Sequence, residues 1–155
     1  MDLNTSITNV RGSTIALGSP TTAGRESAGY TGWFWRGPRS WTGCTVVSST
    51  GLEGETRIMG TESEWIAFSS GHDDFDGGGT VLVYSGTSAS EDVEVPPVKW
   101  FARTGIFTVA SPSPAFGQEI HLPADGTLRL NHRFVFIDRV LEGDDLKATA
   151  EEHKL

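Results

Sequence analysis

Between Arg25 and Trp41 the sequence sets Tyr30, Trp33, Trp35 and Trp41 among Arg25, Arg36 and Arg39, with glycines at 24, 29, 32, 37 and 43. Flat aromatic rings stack on the apolar faces of sugar rings, and guanidinium groups give paired hydrogen bonds to hydroxyls or carboxylates. Glycine lets the backbone approach a ligand closely. On a strand Trp33 and Trp35 point one way and Phe34 and Arg36 the other, so one of these pairs must face a core. If the tryptophans are the core pair, the Arg36 face lies on the other side of the sheet.

A second segment, Gly71-His-Asp-Asp-Phe-Asp-Gly-Gly-Gly79, concentrates acids in a glycine loop. Asp73, Asp74 and Asp76 are weak candidates for holding a calcium ion, because a helix-loop-helix calcium site needs a bidentate Glu where Val83 stands. A solvated hairpin loop is the simpler reading. His72 is a weak catalytic candidate, a proton donor if a pocket lies beside it. Trp100 and Arg103 are three apart in a strand-like segment and so take opposite faces, leaving Arg103 to pair with an ion or face a ligand. His132 lies between Leu130 and Phe134 on an apolar face and reads as a satisfied core histidine. Cys44, the lone cysteine, sits in an apolar run and reads as an inert buried thiol. No nucleophile elbow, phosphate loop or dinucleotide fingerprint occurs, and no cofactor is expected.

The elements that must position these residues are short apolar segments alternating with polar ones and separated by Gly, Pro, Ser or Asp clusters. Strands are expected at 3–8, 14–17, 32–36, 45–48, 64–69, 80–84, 99–104, 119–122 and 127–138. The last is the clearest: Leu128, Leu130, Phe134 and Phe136 share one face at period two, with Arg129, Asn131 and Arg133 on the other. The stretches 95–98 and 111–114 read as loops, because proline cannot donate to a ladder. Only the tail reads as helix, from an Asp144 N-cap through Leu146 to His153. The expected fold is an all-β sandwich with a short C-terminal helix, one domain over residues 1–155.

At 155 residues the chain can bury a core without staples. The formal net charge is −8, unevenly spread: residues 1–48 carry +2 and the remainder −10. An acidic chain without a basic run repels a phosphate backbone, so nucleic acid is not an expected partner. No stretch reaches the roughly 18 apolar residues of a membrane span, and residues 1–10 lack a signal-peptide pattern. A cytoplasmic location is the expectation.

Several segments in order resemble the PmoA-like family, which has a galactose-mutarotase-like super-sandwich fold. They are Leu17-Gly-Ser-Pro-Thr-Thr-Ala-Gly-Arg25, Gly29-Tyr-Thr-Gly-Trp-Phe-Trp-Arg-Gly-Pro38, Met59-Gly60 with Trp65-Ile-Ala-Phe68, Pro97-Val-Lys-Trp-Phe-Ala-Arg103 and the strand 128–138. The resemblance covers only the C-terminal half of that family's usual length, and it implies a role in carbohydrate metabolism. It also places Arg103 at a motif position. A copper or iron centre, suggested by the family's methane-oxygenase label, is not expected, because His72, His121, His132 and His153 show no ligand spacing. Neither the His acid nor the Glu base of galactose mutarotases matches a motif position.

The expected function is a carbohydrate-related binding or accessory domain, its pocket lined by Arg25, Trp33, Trp35, Arg36 and Arg103, for a sugar or sugar acid. The alternatives are an epimerase or lyase needing a separate N-terminal half, and a structural or interaction module. Unpaired strand edges at residues 3–8 and 14–17 lead to the expectation of a homodimer or a complex with an N-terminal-half protein.

Overall fold

The computed structural model describes residues 1–73 and 76–155. Ten strands are present among them: β1 (Asp2–Thr8), β2 (Ile15–Leu17), β3 (Trp35–Arg36), β4 (Thr45–Ser48), β5 (Trp65–Gly71), β6 (Gly78–Ala89), β7 (Lys99–Arg103), β8 (Val109–Ser113), β9 (Ile120–Leu122) and β10 (Thr127–Ile137). Helices α1 (Glu55–Ile58) and α2 (Gly143–Glu152) complete the fold with a 3-10 turn at Arg39–Trp41. A five-stranded antiparallel sheet runs β1-β10-β6-β5-β4, and a three-stranded antiparallel sheet runs β3-β8-β7. β2 and β9 form a separate pair. The protein is an all-β sandwich with a short C-terminal helix.

The two sheets close on Ile66, Phe68, Val81, Val83 and Phe134 from the larger and Trp100, Ala102 and Ala110 from the smaller. The other face of the larger sheet is covered by α2, with Trp65, Ala67, Leu82 and Tyr84 packed on Leu141, Leu146 and Ala150. Burial on both faces explains why β5 and the first half of β6 read as nearly continuous apolar runs. The Tyr84 hydroxyl donates to the Ala150 carbonyl at 2.7 Å. Burial, and then the charges of Glu64 and Glu151, push this phenol up to about 12, so it remains a donor. Arg133, on the polar face of β10, clamps Asp2 of β1 at 2.6 and 3.0 Å and the carbonyls of His153 and Lys154 after α2.

Four expectations are corrected. Residues 111–114 do not form a loop throughout, since Ser111–Ser113 belongs to the middle strand of the small sheet. The ladder tolerates Pro112 because β3 pairs only Val109 and Ala110, leaving β8 with one neighbour at Pro112. The expected strand over 32–36 shrinks to Trp35–Arg36, since Gly32 turns the chain at φ +70°. Phe136 is not core: it is 56% exposed, because no strand of the small sheet pairs or packs over the end of β10. The α2 N-cap is Glu142 rather than Asp144, and Asp144 and Asp145 instead place negative charge on the first turn, where the helix dipole favours it.

His132 is core but not the satisfied histidine expected, and Cys44 is only partly enclosed. His132 is buried at 1% exposure, yet neither ring nitrogen has a hydrogen-bond partner, and neither does the Ser85 hydroxyl opposite it across the ladder. Burial drives the imidazole pKa from 6.5 down to about 4, so it is neutral at ordinary pH. Cys44 is half-buried with its sulfur 3.4 Å from the Thr108 hydroxyl. Burial raises its pKa, which keeps the thiol protonated and unreactive. β5 and β6 pair antiparallel out to Gly71 and Gly78, and the hairpin-loop reading of 71–79 falls partly outside the described residues. Of the calcium candidates there, Asp74 lies outside the described residues, and among the described residues no three His, Cys, Asp or Glu side chains gather as metal ligands.

Candidate functional site

The site follows from strand alternation in the small sheet. Trp35, Ala110 and Ala102 are register partners and face the core, so their neighbours Arg36, Val109 and Arg103 share the outer face. Arg36 and Arg103 therefore flank Val109 from opposite sides, two inter-strand spacings apart, or about 10 Å between backbones. Phe101 also lies on this face, two residues before Arg103 on β7.

The loop before β3 covers part of that face. It is tied to β8 through the Thr31 carbonyl, which accepts from the Ser111 hydroxyl at 3.1 Å, and the Thr31 N–H, which donates to Ser113 Oγ at 3.1 Å. Gly29 is required here because a side chain would run into the Phe116 ring. What remains open between loop and sheet is a groove of about 570 Å³ bordered by Arg25, Tyr30, Phe34, Phe101, Arg103 and Phe107. Tyr30 meets Phe101 edge-on at 5.1 Å and Phe34 at 6.1 Å. Phe34 is 47% exposed, so its ring is available to a ligand.

The arginines are arranged around these rings. The Arg36 guanidinium lies over Phe107 at 4.6 Å and that of Arg103 over Phe101 at 5.5 Å. Arg103 is further held by Glu55 at 3.5 Å and by the Ser27 carbonyl at 3.4 Å, which leaves other N–H donors for a ligand. Glu55 itself accepts from the N–H and hydroxyl of Thr104 and, at 2.8 Å, from the Gly105 N–H. Burial pushes the Glu55 carboxyl up, but these donors and the Arg103 charge outweigh it and hold the group below its usual range. Glu55 is thus an ionised anchor that fixes Arg103. Arg25 is exposed and forms no ion pair among the described residues.

Of the five expected pocket residues, the structure brings Arg25 and Arg103 together in the groove and lays Arg36 across its Phe107 wall. The two tryptophans are elsewhere. Trp35 packs inward against Trp41 and Phe68, and Trp33 swings over β1, where its indole N–H donates to Thr5 Oγ1 at 3.2 Å. The aromatic partners of the arginines are instead Tyr30, Phe34, Phe101 and Phe107. Period-two alternation from Arg103 would have found Phe101, whereas Phe107 arrives through a turn that no spacing rule identifies. His72 does line a hollow, but a different one, formed with Trp35, Trp41, Phe136 and Asp138.

Fold and groove define a β-sandwich domain with an arginine-rich aromatic site on the outer face of its smaller sheet. The chain belongs to DUF6807, a family of unknown function whose family model matches residues 1–151. This corrects the resemblance drawn from the sequence: the model covering the chain is that of DUF6807, and the PmoA-like label does not carry over. No curated protein and no solved structure matches the chain at a significant level. No described helix is long and apolar enough to cross a membrane.

Proposed function

We propose that the domain binds a carboxylate-bearing saccharide in the groove between the loop and the small sheet. The observation that supports this reading most is the placement of Arg36 and Arg103 on either side of Val109, with Arg25 and Arg103 bordering one groove together with the exposed Phe34 ring. Guanidinium pairs match a carboxylate, and the rings match the apolar face of a sugar. In favour of a ligand over a purely structural role, the groove is open and the Phe34 ring that borders it is 47% exposed.

Isothermal titration against galacturonate and glucuronate should release heat, while galactose and glucose bind at least about tenfold more weakly, because they lack the charged hydrogen-bond acceptor. Arg25→Ala, which touches no structural partner, should abolish that preference. Equal heats for acidic and neutral sugars, or none with any of them, contradict the proposal.

Association is proposed to run through β1, an edge of the larger sheet whose seven residues include neither Pro nor Lys to block pairing. Light scattering should then give a mass near twice 16.7 kDa at micromolar concentration. A monodisperse species at 16.7 kDa contradicts it.

A further inference from the structure

Strand β3 is an edge of the small sheet only two residues long, and it has a hollow on each side. Arg36 points outward over the Phe107 wall of the arginine groove, while Trp35 points inward and lines a second hollow of about 410 Å³ with Trp41, His72, Phe136 and Asp138. This second space exists because the larger sheet outruns the smaller one. Phe136 sits on the core-facing side of β10, stacked on Phe134 at 6.4 Å with their planes 17° apart, yet it is 56% exposed.

We infer that the second hollow is a further subsite for the same ligand, so that the domain recognises an acidic oligosaccharide lying across β3 rather than a single sugar; this rests on the groove reading above. The chemistry of the two hollows is complementary. The groove offers guanidinium groups to a carboxylate. The hollow offers the exposed Phe136 ring, an apolar surface suited to a sugar face, with the Asp138 carboxylate beside it to meet hydroxyls. Asp138 repels an anion, so the unit bound in the hollow presents its hydroxyls and apolar face there, while a neighbouring unit delivers its carboxylate to the arginines. Occupying both hollows with one chain makes the second contact intramolecular, which raises affinity with chain length.

The test titrates the 155-residue chain with galacturonate oligomers from monomer to hexamer at fixed ionic strength. Wild-type protein should bind tetramer and longer oligomers at least about tenfold more tightly than monomer. Phe136→Ala, folded by circular dichroism because it removes an exposed ring, should keep the monomer affinity and lose most of the gain with length. Length-independent affinity in wild type, or an undiminished gain in Phe136→Ala, overturns the second subsite and leaves the arginine groove standing. Absence of binding at every length overturns the groove reading and this inference with it.

Discussion

His132→Leu should leave the protein at least as stable as wild type at pH 7.5 and clearly more stable at pH 4.5. The wild-type imidazole is buried with both nitrogens unpartnered, so the fold favours its neutral form. Its pKa is about 4 in the folded state against 6.5 in the free side chain. Above pH 6.5 both folded and unfolded chains carry a neutral ring, and the group adds no pH dependence. As pH falls below 6.5 the unfolded chain takes up a proton that the folded chain refuses, so stability drops until the folded imidazole also protonates near 4. The shift corresponds to about 3 kcal/mol lost across that window. Leucine has no proton to take up and leaves no imidazole nitrogen unpaired, so urea unfolding of the variant should be flat over the same range. Parallel pH profiles for the two proteins contradict the assignment. Glu55, whose pKa is lowered, begins to lose its contribution only as pH falls past its ordinary value of 4.5, so its effect overlaps that of His132 only at the acid end of the window.

Trp100→Ala should cost about 3–5 kcal/mol, the range for deleting a large fully buried aromatic side chain. Trp100 is 0% exposed, joins the small sheet to the main core, and donates its indole N–H to the Ser63 carbonyl at 3.0 Å. A domain of this size is stable by roughly 5–15 kcal/mol, so the variant should be largely destabilised and lower its denaturant midpoint sharply. Phe101→Leu, one residue along and on the opposite face, keeps most of the buried volume and should cost only about 1.5 kcal/mol or less while weakening saccharide binding. Equal destabilisation by the two substitutions contradicts the assignment of Trp100 to the core and Phe101 to the groove.

The pattern of success in reading the sequence follows from where local signals agree with packing. β10 was legible because Leu128, Leu130 and Phe134 alternate with polar residues and face one core. β8 was hidden because Pro112 is compatible with a strand only where a neighbour is missing, which is a fact of topology. The second half of β6, Ser85–Ala89, carries no apolar alternation and is extended by its pairing with β10. α1 is a single turn, too short for any periodicity. At the site, the alternation that puts Trp35 and Arg36 on opposite faces was readable, but the expected pocket had included Trp35 alongside Arg36. That Tyr30 and Phe107 would join the arginines was not readable, because they come from a loop and a turn; the path of the loop depends on contacts of Thr31 with Ser111 and Ser113 and of Gly29 with Phe116.

The most direct test of the central claim is a titration of isotopically labelled protein with methyl galacturonate, following backbone amide and arginine side-chain resonances. Saturable shifts should concentrate on Arg25, Arg36, Arg103, Tyr30 and Phe101, and methyl galactoside at the same concentrations should leave them nearly unmoved. Shifts scattered over the surface, or confined to residues outside the groove, would contradict the assignment of this face as the binding site.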